Sequence, residues 1–261
     1  MTVRESSVAG ANPFDSDLAR KHSNYSAPTA DGLVLVDGGE PAPAVAARVH
    51  DALRALVLDP EYPCVGSRSA FNQDSYRFAH YPELASIDAT AGLARDLLTF
   101  VREQPQIEGQ FTTFIATFAG PKALDDKQFE SLLWEQLRLL HAEDRKFHAW
   151  DPEVASDPSD RLFSFSFGGR AYFVVGLSPA AERWARHFPW PTLAFNAHYQ
   201  FEELRASGQF ERVQEVVRDR DRELQGDTNP NLADFGEHTE ARQYSGRPVG
   251  HDWRCPVSFE L

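Results

Sequence analysis

The stretch from Asp125 to Leu177 constrains this chain most: a long amphipathic helix, a short acidic loop, then strand, Gly-Gly and strand. In DDKQFESLLWEQLRLLHAEDRKFHAWDP, at about 100° per residue, Phe129, Leu133, Leu137, Leu140, Asp144 and Phe147 share one face. Trp134, His141 and His148 sit on its shoulder. FSFSF (163–167) and AYFVVGL (171–177) alternate apolar with small or polar residues, and Gly168-Gly169 marks the hairpin turn between them.

The rest of the chain reads around that unit. Residues 1–30, rich in Ser, Ala, Asn and Asp and without period, are expected as a mobile arm or surface wrap, and 31–261 as a single domain. LVLVDGG (33–39) alternates briefly. Val45, Val49, Leu53 and Leu56 mark a helix over 41–58, ended by Pro60 and Pro63. Residues 64–81 read as a loop with one or two short strands. A helix over 86–104 is capped at Ser86 or Asp88, and 111–121 is a strand of β-branched and aromatic residues. The long helix is expected over about 126–148. Beyond the hairpin come a helical segment at 178–188, a strand at 191–197, a helix from His198 stopped by Gly208, and a charged helix over 211–226. The turn-rich, aromatic tail from Asp227 suits a lid over a pocket better than a core element. Hairpins beside helices give an α+β fold: a largely antiparallel sheet flanked by helices, mixed if 191–197 pairs in parallel.

Several chemistries are excluded. No GxGxxG follows a strand, and GxxxxGK[ST], HExxH and GxSxG are missing. The two cysteines, Cys64 and Cys255, form no CxxC, which rules out a zinc ribbon or a thioredoxin-type dithiol. So few cysteines suit a reducing compartment, and no run reaches signal-peptide or membrane-span length, so a cytoplasmic protein is expected. The net charge of -13 argues against nucleic acid and anionic membranes as partners and permits a cationic substrate.

The residues alone leave the site open. His141 is either a core histidine bonded to a carbonyl or a ligand presented to a cofactor under the helix. His141 and Asp144, three apart, could also belong to a two-His-one-carboxylate iron site, and Asp144 could equally pair with Arg145 or Arg138. Cys64, in PCVGSRSAF, reads as a thiolate nucleophile, a haem ligand or a small buried hydrophobe, and Cys255 as packing.

The motifs PCVGSRSAFNQDSYRF, LLWEQLRLLHAEDRKFHAWDP, FSFSFGGRAYFVVGL, PTLAFNAHYQFEELR and DFGEHTEARQYSGR, taken in order, resemble the YqcI/YcgG family. The closer resemblance is to its branch of haem-dependent guanidine N-hydroxylases, whose activities include arginine hydroxylation in the D-cycloserine pathway and pre-guanitoxin N-hydroxylation. The resemblance spans about residues 60–258 and is carried by the combination of motifs. It implies haem b, its iron activating dioxygen, with an external electron donor and a small cationic substrate such as arginine. It makes His141 the leading axial ligand, the branch being histidine-ligated, with Trp134 as an apolar wall beside it. Cys64 ranks second, then His148 and His198. Arg68, Arg170 and Arg242 are candidates for the haem propionates. Asp144 either orients an imidazole or holds the substrate cation, and Glu240 and Glu237 are the next carboxylates to test. The competing readings are a haem oxidase of another small amine and a haem carrier or gas sensor without turnover. Oligomeric state is left open.

Overall fold

Alternation along the strands sorts the apolar side chains onto two unequal faces of one sheet. The protein is described here by a computed structural model covering residues 10–227 and 239–260. In chain order its elements are α1 (Asp17–His22), β1 (Ser26–Thr29), β2 (Gly32–Leu35), α2 (Ala44–Leu58), α3 (Val65–Asn72), β3 (Tyr76–Glu83) and α4 (Ile87–Glu103). They continue with β4 (Thr113–Gly120), α5 (Asp126–Asp144), β5 (Phe165–Phe167), β6 (Arg170–Leu177), β7 (Thr192–Ala197), α6 (His198–Ala206) and α7 (Phe210–Gln225). The strands form one seven-stranded sheet in the order β2-β1-β3-β4-β7-β6-β5.

The fold is α+β, and the sheet is mixed, as the sequence allowed. The parallel pair is not the one anticipated, however. β7 runs antiparallel to both β4 and β6, while β3 and β4, joined through α4, run parallel. A parallel pair needs a long crossover, and the 17-residue α4 supplies it.

Phe114, Ala116 and Phe118 of β4, Leu193 and Phe195 of β7, and Tyr172 and Val174 of β6 point to one face. There α4 and α5 pack on them through Leu93, Leu97, Phe129, Leu133, Trp134 and Leu137, all fully buried. A capping box, in which Asp125 and Gln128 exchange side-chain-to-backbone bonds, starts α5. Its contact with the sheet depends on Gly176: a Cβ there would come within 2.8 Å of Leu133 Cδ1 and of the Tyr244 carbonyl. On the opposite face α2 and α3 cover Tyr76, Phe78 and Ile115.

Four expectations change. Residues 65–72, read as loop, form α3. The stretch 178–188, read as helical, holds only a single turn at Trp184–Arg186. The described part of the N-terminal segment carries α1 and β1 rather than an irregular arm. Buried Asp96 fixes it, accepting from the Ser23 hydroxyl (2.5 Å), the Asn24 amide (3.3 Å) and Tyr81 (2.8 Å). Lastly, the described tail, expected as a lid, is built largely into the core. Tyr244 is fully buried and stacks on Trp134 (5.3 Å, 10°), and Phe259 joins the same cluster. β5 pairs only with Arg170–Tyr172, and the tail covers the edge beyond, where the Gly176 amide donates to the Tyr244 carbonyl at 2.7 Å.

Candidate functional site

The face under α2 and α3 does not close. Between the sheet, α3, α6 and α7 lies a cavity of about 320 Å³, walled by Phe71, Phe111, Phe173, Phe201 and Phe210. Thr113 and Ile115 of β4, Phe173, Val175 and Leu177 of β6, and Thr192, Ala194 and Asn196 of β7 form its floor. Thus β4, β6 and β7 each send alternate side chains to the aromatic core and to the cavity, which separates the sequence-derived candidates into two groups.

Cys64 belongs to the cavity group. It is the N-cap of α3, and its Sγ accepts from the Ser67 amide (3.5 Å) and the Ser67 hydroxyl (3.2 Å). Glu240 is the second member. Burial raises its carboxyl pKa to about 7, against the lowering effect of Arg205, whose guanidinium lies 3.8 Å away. Glu240 also ends a hydrogen-bonded row. Half-exposed Glu202 meets His198 Nε2 at 3.2 Å, His198 Nδ1 meets Ser164 Oγ at 3.1 Å, and the Ser164 hydroxyl reaches Glu240 Oε2 at 3.4 Å. His198 therefore lies behind the cavity wall, two contacts from Glu240.

His141, Trp134, Asp144 and His148 lie on the other face. His141 is buried, its Nε2 donates to the Glu260 carbonyl at 2.8 Å, and its ring sits edge-on to Trp150 and Phe259. Asp144 pairs with His148 Nδ1 (2.7 Å) and accepts from the Gly168 amide (2.9 Å), tying the end of α5 to the hairpin turn. Burial raises its pKa, and the His148 contact opposes that. Arg68 donates to the carbonyls of Asp59 and Pro60, and Arg170 is exposed at the start of β6. Arg242 donates to the Val249 carbonyl and borders a separate, smaller hollow near Cys255. Glu237 lies outside the described residues. Among the described residues no cluster of three or more His, Cys, Asp or Glu side chains is arranged to hold a metal ion, and no helix is long and apolar enough to cross a membrane.

The family model for the YqcI/YcgG family matches residues 53–258, which takes in both the cavity and the packed face. The chain belongs to that family. Its relatives include "Uncharacterized protein YcgG" of Bacillus subtilis (strain 168), 27% identical over 211 residues that make up 76% of this chain and 81% of the relative. "Uncharacterized protein YqcI" of the same organism is 30% identical over 58% of this chain and 61% of its own length. A Streptomyces lavendulae protein named "Putative N(omega)-hydroxy-L-arginine synthase DcsA" is 26% identical over 58% of each chain. No solved structure matches the chain.

The cavity also holds residues that the sequence did not single out. Among the described residues its walls carry four arginines, Arg183, Arg186, Arg205 and Arg218, and two carboxylates, Asp221 and Glu240. Arg183 and Asp221, both buried, pair at 2.8 Å and pin α7 over the cavity. A chain of net charge -13 thus surrounds this cavity with cations. No sequence signal marks Arg183 or Arg186, because they fall in a segment whose spacing imitates a helix and whose structure is mostly irregular.

Proposed function

We propose that this family member is a haem-dependent N-hydroxylase, that the cavity would hold haem b through the Cys64 sulfur, and that a guanidino or amino compound related to arginine is oxidised there. The observation that carries this reading is the convergence on one aromatic-walled cavity of a hydrogen-bonded cysteine sulfur, a titratable carboxylate and excess arginine. The relative named as a hydroxyarginine synthase supports the substrate class. Cys64 replaces His141 as first candidate for a physical reason. The Cys64 sulfur borders the cavity, whereas the His141 ring is packed edge-on against Trp150 and Phe259 on the opposite face of the sheet.

The residues fit such a group. Planar aromatic rings suit a flat apolar macrocycle, and cations at the wall suit its carboxylates. The two Ser67 donors fix the direction of the sulfur and moderate its charge, as outer partners do for ligating groups. Bound haem would supply dioxygen activation, and a thiolate ligand would favour O–O cleavage.

The remaining work falls to Glu240. When ionised it offers the two oxygens a guanidinium needs for a bidentate grip, within a site where an unpaired cation would cost several kcal/mol. A carboxyl that titrates near pH 7 can also exchange its proton through Ser164 and His198 with half-exposed Glu202. This row of donors and acceptors favours turnover over a passive haem carrier, which has no use for it.

The test is to purify the protein with ample haem supply, record its spectrum, and follow oxygen uptake and a one-oxygen mass gain with arginine, homoarginine, agmatine, lysine and neutral amides. The reading expects a Soret band and oxidation of cationic compounds. A protein that stays colourless and does not take up added hemin refutes it.

A further inference from the structure

Every hydrogen bond that the cavity arginine Arg186 makes among the described residues goes to a neutral partner. Its Nη1 donates to the Gly176 carbonyl (2.9 Å) and the Tyr244 carbonyl (3.5 Å), and its Nη2 to the Gln243 carbonyl (3.4 Å). Nε and one Nη2 hydrogen have no partner among the described residues. Arg183 differs, with Asp221 at 2.8 Å and Asp227 at 2.7 Å, and so does Arg205, with Glu202 at 2.5 Å. The side chain is held firmly: the Ser245-Gly246 turn packs on its stem, and its three carbonyl bonds join β6 to the tail. Carbonyl oxygens orient a guanidinium without neutralising it. Burial disfavours the charge, lowering the pKa, and only Tyr62, Cys64 and Asp221 act in the other direction. A fixed guanidinium on an apolar wall, with two donors unspent and no carboxylate of its own, has the chemistry of an anion-binding group.

We infer that Arg186 is the anchor for a carboxylate of the molecule bound in this cavity, gripped through Nε–H and the unspent Nη2–H. The inference deepens the proposed function, for two carboxylates could serve there: a haem propionate, or the α-carboxylate of an amino-acid substrate. The second source would make the enzyme select amino acids over decarboxylated guanidines. The cavity would then have two poles, Glu240 for the cationic end and Arg186 for the anionic end.

The experiment uses the purified chain and three matched ligand pairs, each differing only in the charge of a carboxylate. They are hemin against its dimethyl ester, L-arginine against its methyl ester, and octanoate against methyl octanoate, with affinities from calorimetry or absorbance. A charge-assisted contact of this kind is worth about tenfold to a hundredfold in affinity. The acid should win by about that factor in at least one pair, and the pair that responds identifies the source. Arg186→Gln should erase the preference and Arg186→Lys should keep part of it. Octanoate discriminated in the absence of any haem or arginine binding would uphold the anchor while the proposed function falls. Equal affinities within all three pairs for the unaltered protein would overturn the inference, and so would full discrimination by a folded Arg186→Gln variant.

Discussion

On the α5 face of the sheet, Trp134 stacks on Tyr244, His141 is wedged between Trp150 and Phe259, and Phe163 lies 5.9 Å from Phe259. On the α3 face, Phe111, Phe201 and Phe210 border open space, with Cys64 and Glu240 at its walls. The same strands floor both. The difference shows that aromatic residues serve two purposes here. Where a long helix with an unbroken stripe covers the sheet, they fill the volume. Where the cover consists of the eight-residue α3 and the charged α7, they leave a chamber. On the first face the histidine is packed among rings, and on the second the cysteine and glutamate border open space.

The comparison breaks first at Trp134. Replacing this fully buried ring with Ala should cost about 3–5 kcal/mol in urea-induced unfolding. The same change at Phe111, which borders the cavity, should cost well under half as much. Equal losses would mean that the two faces are packed alike. Gly176→Ala should cost about 1–3 kcal/mol, since the added methyl meets Leu133 and the Tyr244 carbonyl at 2.8 Å.

A similar loss, about 1–3 kcal/mol, is expected for His141→Ala, which strands the Glu260 carbonyl and leaves a gap among rings. Its decisive feature is what does not change: any haem spectrum should persist. Loss of the spectrum in a stably folded His141→Ala protein would move the ligand back to the α5 face.

The subtlest effect sharpens the cavity side. Glu240, with its pKa raised to about 7, is neutral below that pH and anionic above it. The affinity for a guanidinium should therefore rise as pH increases through about 7 and then level off. Each tenfold gain corresponds to about 1.4 kcal/mol. Glu240→Gln should flatten this profile and weaken binding about tenfold or more. An unchanged profile in that variant would remove Glu240 from substrate recognition.

Most of the scaffold was legible because periodicity reports directly on burial. The α5 stripe, the β5–β6 hairpin and the strand 192–197 all lie where the pattern put them, with ends shifted by a few residues. The site was less legible, and for physical reasons. A histidine on the shoulder of a buried stripe has the same sequence signature whether its imidazole faces a cofactor or packs among rings, and its partner, the Glu260 carbonyl, lies more than a hundred residues along the chain. Cys64 stood in a segment read as loop, so its role as a helix N-cap was invisible. Arg186 became meaningful only when the tail delivered the carbonyls of Gln243 and Tyr244 to it, from more than fifty residues along the chain. The tail's turns disguised a core element, since the buried Tyr244 is flanked by the polar Gln243 and Ser245.

The carbon monoxide complex of the reduced protein tests the central claim most directly, recorded for the unaltered chain, Cys64→Ser and His141→Ala side by side. The account predicts the red-shifted Soret band of a thiolate-ligated haem in the unaltered protein and in His141→Ala, and its loss in Cys64→Ser. A histidine-type spectrum that survives Cys64→Ser and disappears with His141→Ala would contradict it.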